Sequence, residues 1–110
     1  MAGAGYLVIW EFLVKREARL AFEETYGPEG AWVQLFRRSP EYIGTQLLRD
    51  LSRPGRYLTL DRWTSRNALV RFKHDHKSAY AELDQQCEAL TEHEILLGEF
   101  ELCGPTHEQR

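Results

Sequence analysis

The chain has 110 residues, 43% of them apolar and 28% charged, with a formal net charge of −3. That length supports one domain with a real core and not two. The composition is that of a soluble globular protein, and the lack of any Lys/Arg-rich run or basic helix argues against nucleic acid and anionic membranes as partners, leaving small molecules and other proteins.

The longest apolar run, Tyr6–Val14, contains Glu11 and ends at Lys15-Arg16. With no basic segment ahead of it and no small-residue cleavage site close behind, it reads as neither a signal peptide nor a membrane span. The two cysteines, Cys87 and Cys103, are far apart and have no histidine beside them in a ligand pattern. They are expected to be reduced packing thiols rather than a disulfide or a metal site, which makes the cytoplasm the default location.

Tyr6–Val14, rich in Val, Ile, Trp, Phe and Tyr, predicts a strand. From Arg16 to Tyr26 the period changes: Ala18, Phe22 and Tyr26 recur four apart, with Ala21 and Thr25 on the same side, so this stretch predicts an amphipathic helix that Gly27-Pro28 stops. A short helix over Ala31–Arg38 carries Trp32, Leu35 and Phe36. Two strands, Tyr42–Leu51 and Arg56–Trp63, are joined by Ser52-Arg53-Pro54-Gly55, a turn signal that makes them a hairpin. Thr64 or Ser65 can cap a helix running to about Lys73. A longer helix follows from His76 to Leu90, with Tyr80, Leu83, Cys87 and Leu90 along one stripe. A last strand, Ile95–Leu102, closes a domain over residues 1–103, and 104–110 reads as a polar tail.

Strand, helix, strand, strand, helix, strand is the split βαβ order of a ferredoxin-like α+β domain, a four-stranded antiparallel sheet with its helices on one face. The first strand is apolar on both sides. Tyr6, Val8, Trp10, Phe12 and Val14 form one row, and Leu7, Ile9 and Leu13 form the other, interrupted only by Glu11. Helices cover one face, so the simplest cover for the second is an identical sheet from another copy, giving a homodimer in the form of a dimeric α/β barrel.

Over Tyr6–Glu101 the chain resembles the antibiotic biosynthesis monooxygenase (ABM) domain family of the dimeric α/β barrel superfamily. The resemblance is carried by Val8-Ile9-Trp10-Glu11-Phe12-Leu13-Val14, Tyr42-Ile43-Gly44-Thr45, Leu60-Asp61-Arg62-Trp63-Thr64-Ser65 and the run from Phe72 to Tyr80. It implies the fold above, a pocket between sheet and helices within each subunit, and a short list of reactions. These are cofactor-independent monooxygenation of a phenol, quinol or polycyclic aromatic with O2, or haem degradation; many members have no known activity. Haem-degrading members carry an asparagine on the first strand and an iron-binding histidine further along the long helix. Tyr6–Val14 has no asparagine, and after His76 no histidine occurs before His93. Haem degradation is therefore disfavoured.

Oxygenation without metal or flavin requires a substrate that donates an electron to O2, an aromatic-lined dry slot, and a base or hydrogen-bond partner for its hydroxyl. Trp63 falls where the resemblance places a Trp-Ser strand end; its indole can stack on a flat substrate, or it is a core wedge closing the sheet. His76, four residues before Tyr80, is the candidate proton acceptor because histidine changes charge nearest neutral pH; the alternative is a surface residue at the helix entry. His74 should face elsewhere, and a third ligand is lacking, so no metal site is expected. Glu11 is either a pocket acid or the partner of an arginine. Asn67 could reach a ligand oxygen, and Tyr26, Trp32 and Phe36 either line the helix side of the pocket or fill it. The sequence thus points to a cofactor-free monooxygenase acting on a small aromatic molecule and O2, with a non-catalytic dimeric binding or accessory protein for an aromatic metabolite as the alternative.

Overall fold

The computed structural model describes residues 5–104. Along the chain run β1 (Tyr6–Val14), α1 (Arg19–Tyr26), α2 (Ala31–Phe36), β2 (Tyr42–Arg49), β3 (Arg56–Trp63), α3 (Arg66–Asp75), α4 (Lys77–Cys87) and β4 (Thr91–Glu101). Single 3-10 turns precede α1 at Arg16–Ala18 and follow α4 at Glu88–Leu90. The four strands lie in the order β2-β3-β1-β4 with every neighbouring pair antiparallel. This is the expected ferredoxin-like α+β architecture. Of the polar tail read from 104 onward, all but Gly104 lies outside the described residues.

Local chemistry explains the joints. Gly55, at φ +90°, takes the left-handed conformation that the hairpin turn requires. The Asp50 carboxylate accepts the Ser52 N–H at 2.8 Å and steadies the entry to that turn. Ser65, rather than Thr64, caps α3, its Oγ accepting the Ala68 N–H at 3.1 Å. Several boundaries differ from the expected ones: α2 stops at Phe36 rather than Arg38, β2 at Arg49 rather than Leu51 and β4 at Glu101 rather than Leu102. The helix α3 continues to Asp75 and breaks at His76 (φ −119°, ψ 34°), α4 gives way to the 3-10 turn after Cys87, and β4 begins at Thr91 instead of Ile95. The start of β4 escapes notice because Glu92, His93 and Glu94 are all polar, so strand alternation is invisible there. Ala21 is exposed and does not fill the buried side of α1.

Two rows of side chains define the sheet. On the helix-facing side of β1, Tyr6, Val8, Phe12 and Val14 are buried, while Trp10, midway along the same row, is only half-buried. The matching row of β3 is Tyr57, Thr59, Asp61 and Trp63, all buried. Between sheet and helices the aromatic rings form a continuous chain. Phe12 lies 5.2 Å from Phe22, Phe22 stacks on Tyr26 at 4.2 Å, and Trp32, Phe36 and Trp63 follow at centroid spacings of 5.4 to 6.1 Å. Phe22 and Trp63 are fully buried, and burial of a ring of this size stabilises by roughly 1.5–3 kcal/mol each. On the opposite side of the sheet Leu7, Ile9, Leu13, Leu58 and Leu60 are half-buried, and Leu48, Ile95 and Phe100 are 39–49% exposed. Both faces of the sheet are apolar, and only one carries helices.

A bulge in β2 decides which side chains reach the interior. Tyr42 pairs with Trp63, but Arg62 pairs with Gly44, so Ile43 is an extra residue and points outward, 58% exposed. After it the alternation is reversed, which sets Thr45 opposite Asp61 and Leu47 opposite Thr59 on the interior face. Without the bulge, Gly44 and Gln46 would occupy those places.

Candidate functional site

Trp10 is half-buried because the layer above the sheet is open at that point. A cavity of about 180 Å³ lies there, floored by Trp10 and Phe12 of β1, Thr45 of β2, and Thr59 and Asp61 of β3. Its helix side is built from Tyr26 of α1, Trp32 and Phe36 of α2, Lys73 of α3 and Tyr80 of α4. Asp84 and Glu94 complete its wall. An adjoining cavity of about 200 Å³ shares Trp10, Phe36, Asp61, Lys73 and Tyr80 with the first and extends to Trp63, Tyr6 and Glu99. The two form one aromatic-walled space with Asp61 at their common floor.

Asp61 is the polar centre of this space. It is 8% exposed, and its Oδ1 accepts the Thr45 hydroxyl at 2.7 Å. Thr45 Oγ1 in turn lies 2.7 Å from the Tyr42 hydroxyl, and since Thr45 donates to Asp61, Tyr42 donates to Thr45. Burial pushes the Asp61 carboxyl up to about 6, against the Thr45 hydrogen bond and the positive charge of Lys73, which both pull it down. The Lys73 ammonium lies over the Tyr80 ring, 5.3 Å from its centroid. Burial, followed by the negative charges of Asp84, Asp61 and Glu94, raises the Tyr80 phenol to about 12, so it stays a neutral donor. Burial also raises the Tyr26 phenol and, with Asp84 and Glu88 nearby, the Glu94 carboxyl. Two indole N–H groups, of Trp32 and Trp63, are buried without a hydrogen-bond partner among the described residues.

The structure gathers some of the residues singled out in the sequence and disperses others. Tyr26, Trp32 and Phe36 line the first cavity, Trp63 the second, and Tyr80 both. His76 lines neither. It occupies the break between α3 and α4, with its ring 4.7 Å from that of Phe72, so the candidate proton acceptor does not line the space that Tyr80 walls. Glu11 points to the other side of the sheet and is ion-paired with Arg56, which also holds Asp50 at 3.0 Å; of its two expected roles it takes that of arginine partner. Asn67 is exposed on α3 and lines neither cavity. Asp61, Thr45 and Lys73 were missed as site residues. The one available signal for Asp61 was its parity: two residues from Trp63 and four from Tyr57, it shares their buried row.

Among the described residues no group of three or more His, Cys, Asp or Glu side chains is placed to share a metal ion, and no helix is long and apolar enough to cross a membrane. Cys87 is free and buried, its thiol raised by burial, and Cys103 is free and exposed.

A ferredoxin-like sheet whose helices leave an aromatic-walled cavity with a buried carboxylate defines the fold and the candidate site. The family model described as antibiotic biosynthesis monooxygenase matches residues 5–83, and the chain belongs to that family. No match among curated proteins reaches significance. Solved structures share the fold. A putative antibiotic biosynthesis monooxygenase from Nitrosomonas europaea is 16% identical at a TM-score of 0.71, with 97% of this chain and 98% of that one covered. SnoaB, a cofactor-independent oxygenase from Streptomyces nogalater, is 19% identical at a TM-score of 0.70, with 97% and 100% covered. A putative antibiotic biosynthesis monooxygenase from Bordetella bronchiseptica is 19% identical at 0.65, with 89% and 96% covered. At these identities the likeness is one of fold.

Proposed function

We propose that the protein is a monooxygenase that oxidises an electron-rich aromatic, a phenol, quinol or polycyclic phenol, with O2 and without a bound cofactor. The observation that carries this reading is the aromatic-walled cavity closed at its floor by a buried, hydrogen-bonded carboxylate. Membership of the family and the fold shared with SnoaB support it. In the overall reaction a phenol and O2 give a quinone and water: one oxygen atom enters the ring, and the other leaves as water. The protein's part is to hold the ring between Trp10, Trp32 and Tyr80, exclude bulk water, and offer hydrogen-bond partners to the hydroxyl. The neutral Tyr80 hydroxyl is available as a donor where negative charge develops.

A second copy of the chain covers the apolar outer face of the sheet in this reading, so that each subunit of a homodimer keeps its own cavity. No histidine among the described residues lines either cavity, which leaves haem without a histidine ligand there and argues against haem breakdown.

The test is oxygen uptake by the purified protein over a panel of hydroquinones, naphthols and polycyclic phenols, with the product followed by absorbance. One O2 consumed per quinone formed is the expected result. No uptake across the panel, with aromatic binding retained, would replace this reading with that of a non-catalytic binding protein for an aromatic metabolite.

A further inference from the structure

We propose that Asp61 is the group that accepts the proton of the substrate hydroxyl, with its Oδ1 held by the Tyr42–Thr45 hydroxyl relay and its Oδ2 presented to the cavity. The proposal rests on the oxygenase reading for its chemistry, but its geometry stands apart from turnover.

Three observations converge on Asp61. It lies on the shared floor of the two cavities, where a ring held by Trp10 and Tyr80 would bring its hydroxyl. Only one of its oxygens is engaged: Thr45 takes Oδ1, and no donor among the described residues reaches Oδ2. The β2 bulge exists at the position that swings Thr45 inward, so the strand's irregularity and the relay are one device. The relay fixes the carboxylate's orientation, because Thr45 has its one proton on Asp61 and accepts the proton of Tyr42. The charged and titratable groups that line the cavities with Asp61 are Lys73 and Arg66 from α3, Tyr80 and Asp84 from α4, Glu94 and Glu99 from β4, Tyr6 from β1 and Tyr26 from α1, with Tyr42 of β2 behind Thr45. The Thr45 hydrogen bond and, after it, the positive charge of Lys73 oppose the burial that raises the Asp61 carboxyl to about 6, so the carboxylate form is present near neutral pH.

In the step itself the substrate O–H bond breaks, the proton passes to Oδ2, and the electron pair stays on the phenolate oxygen. The phenolate then gives an electron to O2, and the two radicals join as a ring peroxide. Asp61 returns its proton to the peroxide, and as the O–O bond breaks the oxygenated ring carbon gives up its C–H proton to the departing hydroxide; a second carbonyl forms, water leaves, the carboxylate is restored, and phenol and O2 balance quinone and water. A carboxyl raised to about 6 is well matched to this exchange near neutral pH.

The experiment measures binding of 2-naphthol, by quenching of tryptophan fluorescence, between pH 5 and 8, where the probe itself stays neutral. A hydroxyl donating to ionised Asp61 forms a charge-assisted bond, so affinity is expected to rise about tenfold as pH passes through 6. The methyl ether, 2-methoxynaphthalene, should show no such rise, and neither should Asp61→Asn. Thr45→Val retains the carboxylate but removes the donor that lowers its pKa, so the midpoint should move to higher pH, a displacement that a purely structural role for Thr45 would not produce. Failure of 2-naphthol to bind, or the same pH dependence in Asp61→Asn, would overturn the proposal. If the pH-dependent binding is present while no phenol drives oxygen uptake, Asp61 stands as the hydroxyl acceptor and the oxygenase reading alone fails.

Discussion

The two faces of the sheet are both apolar in sequence but are finished differently. The inner face meets four helices, and its aromatic rings interlock from Phe12 to Trp63 except at one opening, where the row of β3 turns polar at Thr59 and Asp61. The outer face meets nothing within the described residues. There Leu7, Ile9, Leu58 and Leu60 form a continuous apolar centre beside the Glu11–Arg56–Asp50 ion pairs. Polar groups inside a core cost free energy unless they are paired, whereas apolar groups on a surface mark a place for a partner. The inner departure from simple packing therefore reads as chemistry, and the outer one as assembly.

The largest effect is expected on the outer face. Ile9 and Leu60 are register partners near its middle. Leu60→Arg would set a charge against its symmetry mate's apolar surface, and sedimentation should show a homodimer of wild type become a monomer of 12.9 kDa. The cavity lies on the other side of the sheet, so 2-naphthol binding should persist in that monomer. A wild type that already sediments at 12.9 kDa would break the assembly half of the comparison.

A smaller effect is expected at the inner opening. The Asp61 carboxyl is raised from 3.8 to about 6, so between those values the folded protein holds a proton that the unfolded chain has released. Its contribution to stability therefore falls as pH rises through this window, and a rise of that size corresponds to about 3 kcal/mol. Asp61→Asn has no such dependence. Urea melts of the two proteins should show the variant gaining on wild type by up to about 3 kcal/mol from pH 4 to pH 7. A constant difference over that range would mean that Asp61 is solvated rather than buried.

How much of this was legible follows from the same contrast. The order of elements, the antiparallel sheet and the two-faced β1 were legible because apolar periodicity reports burial directly, whether against helices or a partner. The helix-side aromatics Tyr26, Trp32 and Phe36 were legible for the same reason. The acid was not. Asp61 sits in a run, Leu60-Asp61-Arg62, and its one signal, the parity it shares with Tyr57 and Trp63, names a row without showing that this row faces the helices. The Ile43 bulge hid Thr45 more thoroughly, since it reverses the parity of β2 partway along the strand. Glu11 drew attention by interrupting an apolar row, but that row was the outer one, where its charge is met by Arg56.

The smallest effect is expected from the histidine that residue chemistry alone favours as the base. His76 has its backbone N–H bonded to the Phe72 carbonyl at 2.9 Å and its own carbonyl bonded to the Tyr80 N–H at 2.9 Å, and both bonds survive substitution by alanine. What His76→Ala removes is ring packing on Phe72, costing about 0.5–1.5 kcal/mol. Because Phe72 packs on Trp63 and Phe36, the loss of the ring reaches the cavity as a slight loosening of its far wall. Melting temperature should fall modestly, and oxygen uptake with the best phenol should stay within about a factor of two of wild type. A loss of about 100-fold with melting unchanged would instead bring the imidazole into the reaction, and would require the α3–α4 break at His76 to open toward the cavity during turnover.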